Sequence, residues 1–181
     1  MNLPNKLTVL RMLLIPVFVV LLLSAERDES GVRAWAALAI FVIASLTDFF
    51  DGRIARKRGL VSNFGKLMDP LADKLLVCSA LICLSALSRI PAWVVIVIIA
   101  REFVITGVRQ LAAEKGRVIA ASYWGKFKTA SQMVMIILMI ADLPALTTVT
   151  QAFLWIAFAL TIISMIDYLV KNRDIILEGE I

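Results

Sequence analysis

Long apolar stretches recur along the chain, separated by short polar or charged connections. Each stretch is continuously apolar instead of alternating between apolar and polar positions, which predicts helices and excludes the strands of a membrane barrel. A helix needs about 20 apolar residues to cross the hydrocarbon core of a membrane. The stretches of this kind are Leu7–Ser24, Arg33–Phe50, Pro70–Leu87, Pro91–Ala112, Tyr123–Ala141 and Thr148–Val170. The pattern therefore predicts an all-α integral membrane protein with six transmembrane helices.

The composition agrees with a membrane protein of one domain. Of the 181 residues 61% are hydrophobic, and the mean hydropathy of +0.90 is far above the value that a soluble domain tolerates. No repeat, low-complexity tract or linker divides the chain, so residues 1–181 are predicted to form a single transmembrane domain. Leu3–Asn5 include a proline and precede the first apolar stretch, which predicts a short N-terminal juxtamembrane helix.

The positive charges fall on alternate connections between the apolar stretches. The chain has 19 Lys and Arg residues and a formal net charge of +5. All of these cations except Arg27, Arg33 and Arg89 lie near the termini, in residues 53–74 or in residues 101–128. This positive-inside pattern predicts that both termini are cytoplasmic. The distribution indicates membrane topology and contact with anionic lipid headgroups, and it argues against a nucleic-acid partner.

Four aspartates flank the basic connection between the second and third stretches. Asp48 and Asp51 are three residues apart, and Asp69 and Asp73 are four apart, so each pair shares a helical face. Carboxylates this close to hydrocarbon are costly and rarely lie there without a partner. The chain has no histidine, and an all-oxygen acidic site favours Mg²⁺ or Mn²⁺ over zinc or copper. Four carboxylates can hold two such ions, an arrangement that stabilises a phosphoryl group during displacement.

Small residues and an arginine accompany these aspartates at helical spacing. Gly52 follows Asp51 directly and Ala55 lies one turn further on, which leaves a strip where a nucleotide or phosphate can approach the backbone. Arg56 can offer a bidentate fork to phosphate oxygens. Gly65 precedes Asp69 by four residues, on the same side of the helix if that helix begins so early.

The whole segment resembles the signature of the CDP-alcohol phosphotransferase family. It reads Asp48-x2-Asp51-Gly52-x2-Ala55-Arg56-x8-Gly65-x3-Asp69-x3-Asp73. The resemblance implies six transmembrane helices, a site that faces the cytoplasm and a homodimer. It implies that Asp48, Asp51 and Asp69 ligate two divalent metal ions, Mg²⁺ or Mn²⁺, which bind the diphosphate of a CDP-linked lipid. Asp73 is implied as the general base for the acceptor hydroxyl and as a further metal contact. The residues implied for the CDP pocket are Gly52, Ala55, Arg56 and Gly65.

Further segments resemble the bacterial members of this family that use sn-glycerol 3-phosphate as the acceptor. These segments are Pro4-Asn5-x2-Thr8-x2-Arg11, Asp69-Pro70-Leu71-Ala72-Asp73-Lys74, Arg101-Glu102-Phe103 through Arg109, Gly116, Ala121-Ser122, Gly125-Lys126, Lys128-Thr129 and Gln132. The resemblance implies transfer of the phosphatidyl group of CDP-diacylglycerol to sn-glycerol 3-phosphate, which gives phosphatidylglycerophosphate and CMP. It also implies a multi-pass protein of the bacterial cytoplasmic (inner) membrane, surrounded by membrane lipids.

Basic residues around the connection between the fourth and fifth stretches indicate an anionic acceptor. They are Arg101, Arg109, Arg117, Lys126 and Lys128, more cations than membrane topology needs. An acceptor that is itself a phosphate ester requires such a cluster, whereas serine does not. Arg109 and Lys126 are predicted to hold the acceptor phosphate, with Arg117 and Lys128 behind them.

Several alternatives stay open at this level. Capping and snorkelling account for Asp69 and Asp73 near a helix start, but not for Asp48 inside an apolar stretch. Arg101 and Glu102 could instead pair with neighbours inside the bundle. The same chemistry could use inositol phosphate or phosphatidylglycerol as the acceptor. A cation transporter could also use carboxylates, but transport sites usually lie near the membrane midplane and these aspartates fall at one edge, so an enzyme is predicted.

Overall fold

Each of the six apolar stretches forms an α-helix. The computed structural model describes residues 3–58, 63–117, 119 and 122–174, with side chains over 6–47, 68, 71–117, 119 and 122–174. The helices are α1 Leu3–Leu23, α2 Val32–Arg58, α3 Asn63–Ala86, α4 Ala92–Glu114, α5 Tyr123–Ala141 and α6 Thr147–Lys171. Short 3₁₀ turns lie at Ala25–Arg27 and Pro144–Leu146. The described residues contain no strand, so the all-α prediction is confirmed.

The second and third helices extend further than hydropathy predicts. The apolar stretches end at Phe50 and begin again at Pro70, whereas α2 continues to Arg58 and α3 begins at Asn63. Arginine, lysine and alanine are good helix formers, so both helices can continue into the basic connection. Gly65 therefore lies within α3, as its spacing from Asp69 requires.

The predicted juxtamembrane helix is not separate from the first long helix. Leu3–Asn5 belong to α1, which is one continuous helix from Leu3 to Leu23. Pro4 lies in the first turn, where a helix uses no backbone N–H donor, so the proline does not interrupt it. This part of the sequence prediction is wrong, because a proline near a helix start is compatible with the helix that follows.

Residues 1–90 together with 139–141 form one compact unit. Within it, α1 packs against both α2 and α3. The rings of Phe18 and Phe41 are both fully buried, and their centroids lie 5.8 Å apart. Leu22 and Leu76 are also fully buried in this unit. The first unit therefore contains the two helices that carry all four aspartates.

Residues 91–138 and 142–181 form a second compact unit, in which α4 packs against α6. The buried face of α6 recurs every three or four residues and comprises Leu154, Ala157, Thr161, Ser164 and Tyr168. The buried residues of α4 include Arg101 among aliphatic neighbours. Polar side chains thus lie inside this unit, where they need partners.

Large apolar side chains are exposed on several of the described helices. Two helical segments, Lys6–Leu23 and Pro144–Lys171, are long and apolar enough to cross a membrane among the residues that the structure describes. On α1, Leu13 is 66% exposed and Val20 is 67% exposed. An apolar surface of this extent is unfavourable in water, whereas lipid tails accommodate it. Together with the hydropathy of the whole chain, these features indicate a membrane protein.

Candidate active site

The four predicted metal ligands lie on two consecutive helices of the first unit. Asp48 and Asp51 are in α2, Asp69 and Asp73 are in α3, and α2 packs against α3. Asp51 lies seven residues before the end of α2 and Asp69 six after the start of α3, which places them about 10 Å and 9 Å from those ends. Asp48 and Asp73 each lie ten residues from the same ends, or about 15 Å. The two pairs of aspartates therefore lie at similar distances from the ends of two helices that follow each other in the chain.

Of these four aspartates, Asp73 has a described side chain. It is half-buried, engaged in an interaction within the protein, and lies beside the buried face that Ala72 and Leu76 form. The side chains of Asp48, Asp51 and Asp69 lie outside the described residues. Among the side chains that are described, no group of three or more acidic, Cys or His residues could hold a metal. Metal binding by the four aspartates therefore stays a prediction.

The residues predicted for the CDP pocket lie on the same two helices. Gly52, Ala55 and Arg56 fall in the last two turns of α2, and Gly65 falls in the first turn of α3. Their side chains and surroundings lie outside the described residues. Their helical placement gives Gly52 and Ala55 the one-turn spacing assumed from the sequence, and their contact with a nucleotide stays a prediction.

The end of α4 positions Arg117. Gly116 has a φ of +68°, a left-handed conformation that favours glycine, and its N–H donates to the carbonyl of Ala113 at 3.0 Å. The N–H of Arg117 donates to the carbonyl of Ala112 at 2.8 Å. These two bonds form a Schellman motif, which ends the helix and satisfies its last carbonyl groups. Arg117 is exposed immediately beyond that end.

The start of α5 separates two lysines that were predicted together. Ser122 is the N-cap, and its Oγ accepts a hydrogen bond from the N–H of Gly125 at 3.1 Å. Lys126 in the next turn is exposed, with its Nζ 5.2 Å from the centroid of the Tyr123 ring. Lys128 instead points inward and is only 3% exposed. Lys126 is thus available to a ligand at the surface, whereas Lys128 has partners inside the protein.

A buried charge cluster surrounds Lys128. Its Nζ donates a hydrogen bond to Oε1 of Glu102, and the same oxygen accepts a bond from Nη1 of Arg101 at 2.9 Å. Nη2 of Arg101 donates to Oγ of Ser164 at 3.1 Å. A Cβ added to Gly125 would lie 3.7 Å from that same nitrogen, so the guanidinium packs beside the first turn of α5. The cluster joins α4, α5 and α6, and it confirms that Arg101 and Glu102 pair inside the bundle.

Arg109 occupies a different environment two turns further along α4. Its side chain is exposed, and its Nε donates to the hydroxyl of Tyr168 at 3.3 Å. The guanidinium carbon lies 5.7 Å from the centroid of that ring. Tyr168 itself is only 3% exposed. Tyr168 therefore holds the Nε atom of Arg109, while the exposed part of the guanidinium is accessible to a ligand.

Sequence analysis does not single out Ser164 or Tyr168, which contact the two arginines of α4. Their signal is a row of small and polar residues at helical spacing within an otherwise apolar helix. Asp167, which precedes Tyr168, pairs with Lys171 at 2.6 Å. Its other oxygen is buried without a hydrogen-bond partner among the residues that the structure describes. The C-terminal end of α6 is therefore more polar than the hydropathy of the helix suggests.

The fold and these two groups of residues define a helical membrane protein. Four aspartates lie on α2 and α3, and basic residues surround the α4–α5 connection. A family model for CDP-alcohol phosphatidyltransferase matches residues 1–163. The chain belongs to this family, as its signature segment indicates.

Proteins with similar sequences cover nearly the whole chain. A Bacillus subtilis (strain 168) protein named CDP-diacylglycerol--glycerol-3-phosphate 3-phosphatidyltransferase is 46% identical over 186 residues, which is 96% of each chain. A Mycobacterium tuberculosis (strain CDC 1551 / Oshkosh) protein named probable phosphatidylglycerophosphate synthase is 42% identical over 96% of this chain and 83% of its own length. A Rickettsia felis protein with the same name as the Bacillus protein is 40% identical over 92% of this chain and 93% of its own.

Proposed function

We propose that this protein transfers the phosphatidyl group of CDP-diacylglycerol to sn-glycerol 3-phosphate, which gives phosphatidylglycerophosphate and CMP. The observation that carries this proposal is the similarity, at 40% identity or more and over nearly the full chain, to proteins named for this reaction. The complete signature from Asp48 to Asp73 supports the same chemistry. The protein is then a transferase of phospholipid biosynthesis.

The acidic residues suit two divalent metal ions. Asp48, Asp51, Asp69 and Asp73 lie on two packed helices and offer only oxygen donors, which are the donors that Mg²⁺ and Mn²⁺ prefer. Such ions, when bound, neutralise a diphosphate and the charge that develops on the leaving CMP. Gly52, Ala55, Arg56 and Gly65 line the nucleotide pocket in this proposal, with Arg56 reaching the phosphate oxygens.

Asp73 is the general base of the proposed reaction. Its carboxylate takes the proton of the 1-hydroxyl of glycerol 3-phosphate, and the hydroxyl oxygen forms a bond to the phosphorus of the phosphatidyl group. The bond from that phosphorus to the CMP oxygen breaks, and CMP leaves with the bonding pair. A half-buried carboxylate suits this role, because it stays accessible to the acceptor while being held by the protein.

The acceptor phosphate is held by basic residues around the α4–α5 connection. Arg109 and Lys126 are exposed and carry positive charge next to the α4–α5 connection, so they are the primary ligands in this proposal. Arg117 lies just beyond α4 and adds to the same positive field. Lys128 contributes its charge from inside the protein, where Glu102 holds it. A phosphate that is held in a fixed position orients the acceptor hydroxyl for the displacement.

The membrane arrangement completes the proposal. All six helices cross the bacterial cytoplasmic membrane within a single domain, both termini are cytoplasmic, and the protein forms a homodimer. The positive residues at 53–74 and 101–128 support this orientation. The site then faces the cytoplasm, so the lipid tails remain in hydrocarbon while both headgroups meet in water.

The test is CMP release by purified protein in detergent with CDP-diacylglycerol, Mg²⁺ or Mn²⁺, and separate acceptors. Release with glycerol 3-phosphate that EDTA abolishes is expected. Release with inositol phosphate or phosphatidylglycerol alone would assign another acceptor, and release with none, from folded protein, would refute the proposal. Asp73→Asn should abolish turnover but keep CDP binding, whereas full activity in this variant would refute its role as base.

A further inference from the structure

The buried face of α6 presents hydroxyl groups in its C-terminal half. The hydroxyl of Thr161 donates to the carbonyl of Ala157 in its own helix at 2.7 Å. The hydroxyl of Ser164 donates to the carbonyl of Thr161 at 3.0 Å and accepts from Arg101. The hydroxyl of Tyr168 accepts from Arg109. Two of these three hydroxyls therefore accept hydrogen bonds from arginines of α4, whereas the Thr161 hydroxyl bonds only within its own helix.

The contact with Tyr168 uses Arg109 in a particular way. The bond runs from Nε, and among the residues that the structure describes no protein acceptor contacts Nη1 or Nη2 of this guanidinium. Those two nitrogens form the fork that binds two phosphate oxygens at once. A guanidinium held at Nε therefore keeps its phosphate-binding side open. Because Tyr168 is only 3% exposed, its ring is fixed by packing and gives the hydroxyl a defined position.

We propose that Tyr168 is a positioning residue that orients Arg109 for the phosphate of the acceptor. The inference rests on the proposed function, in which Arg109 is a ligand of that phosphate. A long arginine side chain loses considerable rotamer freedom when it binds, and a fixed hydrogen bond at Nε removes part of that loss before the acceptor arrives. Tyr168 then affects binding of the acceptor and leaves binding of the CDP-linked lipid unchanged.

The test compares Tyr168→Phe with wild-type protein in steady-state CMP release. The variant loses one oxygen and keeps the ring, so KM for glycerol 3-phosphate should rise about three- to tenfold, the value of one hydrogen bond. The kcat and KM for CDP-diacylglycerol should stay within about twofold. Thr161→Val is the matched control, since it removes a buried hydroxyl of the same face that contacts no arginine, and it should leave both KM values unchanged.

A double variant shows whether Tyr168 acts through Arg109. If it does, adding Tyr168→Phe to Arg109→Gln should raise KM for glycerol 3-phosphate by less than about twofold more. If the wild-type protein is active and Tyr168→Phe leaves KM for glycerol 3-phosphate unchanged, the inference is refuted while the proposed function stands. The same holds if Tyr168→Phe raises KM for both substrates equally, or if it raises KM for glycerol 3-phosphate as much in the Arg109→Gln background as in the wild type. A wild-type protein that releases no CMP with glycerol 3-phosphate would refute the proposed function, and this inference with it.

Discussion

Replacement of Glu102 by glutamine tests the buried charge cluster most directly. The change keeps the size and an acceptor oxygen but removes the negative charge that two cations share. In the wild-type protein, Arg101, Glu102 and Lys128 sum to one positive charge. In Glu102→Gln, two cations remain close together, and the exposed fractions of the arginine and lysine side chains are only 9% and 4%. Water can therefore compensate little of the lost charge.

The expected loss of stability follows from this burial. Removing one partner of a buried ion pair costs about 3–5 kcal/mol, because a charge is left uncompensated. Glu102 is itself 18% exposed, so the lower half of that range is expected. For a chain of 150–250 residues, each kcal/mol lowers the melting temperature by roughly 2–4 °C. A fall of roughly 6–16 °C in Tm is therefore expected for Glu102→Gln.

Removal of Lys128 provides the matched comparison. Lys128→Met leaves Arg101 and Glu102 as a balanced pair, so it should cost less than Glu102→Gln. The double variant Glu102→Gln/Lys128→Met lacks one of the two cations that Glu102→Gln leaves unpaired. We expect it to be more stable than Glu102→Gln by about 1–3 kcal/mol. Thermal unfolding in detergent, followed by circular dichroism, measures all three variants under identical conditions. Additive losses of stability, or a Glu102→Gln protein within about 1 kcal/mol of wild type, would refute the account of the cluster.

Three further predictions concern single contacts. Gly125→Ala places a Cβ 3.7 Å from Nη2 of Arg101, which is an ordinary van der Waals distance, and alanine has the higher helix propensity. The Tm should therefore stay the same or rise, and a clear fall in Tm would show that packing here is tighter than this distance indicates. Arg109→Lys keeps the charge but loses the fork, so KM for glycerol 3-phosphate should rise about tenfold, whereas an unchanged KM would show that a point charge suffices. The pKa of Asp28 is lowered by hydrogen bonds from the Ser30 hydroxyl and the Arg33 N–H. The order of this connection should therefore persist above the ordinary carboxyl pKa and be lost as pH falls through the lowered value, and amide exchange at Arg33 that stays protected in acid would contradict this.

The helices could be predicted from the sequence because hydropathy and helix length are strongly linked in membranes. Tyr123–Ala141 agrees with α5 at both ends, and the ends of α4 and α6 differ from prediction by one or two residues. The larger differences fall at Phe50 and Pro70, where helices continue past the apolar residues. Hydropathy detects where a helix leaves the hydrocarbon core, whereas helix propensity and capping decide where it ends.

The site was less predictable, because the direction of a side chain depends on packing. Lys126 and Lys128 are equivalent as charges in the sequence, yet one is exposed and the other buried. Their helical register separates them, since Lys128 lies in a row with Gln132, Met135 and Met139, all buried. The helical spacing of this row in the sequence predicts that it forms the buried face of α5. The partners of Arg101 and Arg109 on α6 could not be predicted, because nothing in the sequence pairs residues some 60 positions apart.

The distribution of exposure on α4 supports its place among the proposed membrane spans. Among the described residues two helical segments are long and apolar enough to cross a membrane, and α4 is not one of them, since it contains Arg101, Glu102 and Arg109. However, Ile96 is 65% exposed and Phe103 is 67% exposed, whereas Arg101 is only 8% exposed. Apolar residues outside and paired charges inside are the arrangement expected of a membrane helix, and the reverse of a soluble one. The charged residues that lower the hydropathy of α4 are thus the ones that form its buried ion pairs and its proposed contact with the acceptor phosphate. For this reason α4 does not qualify as a membrane span by apolarity alone.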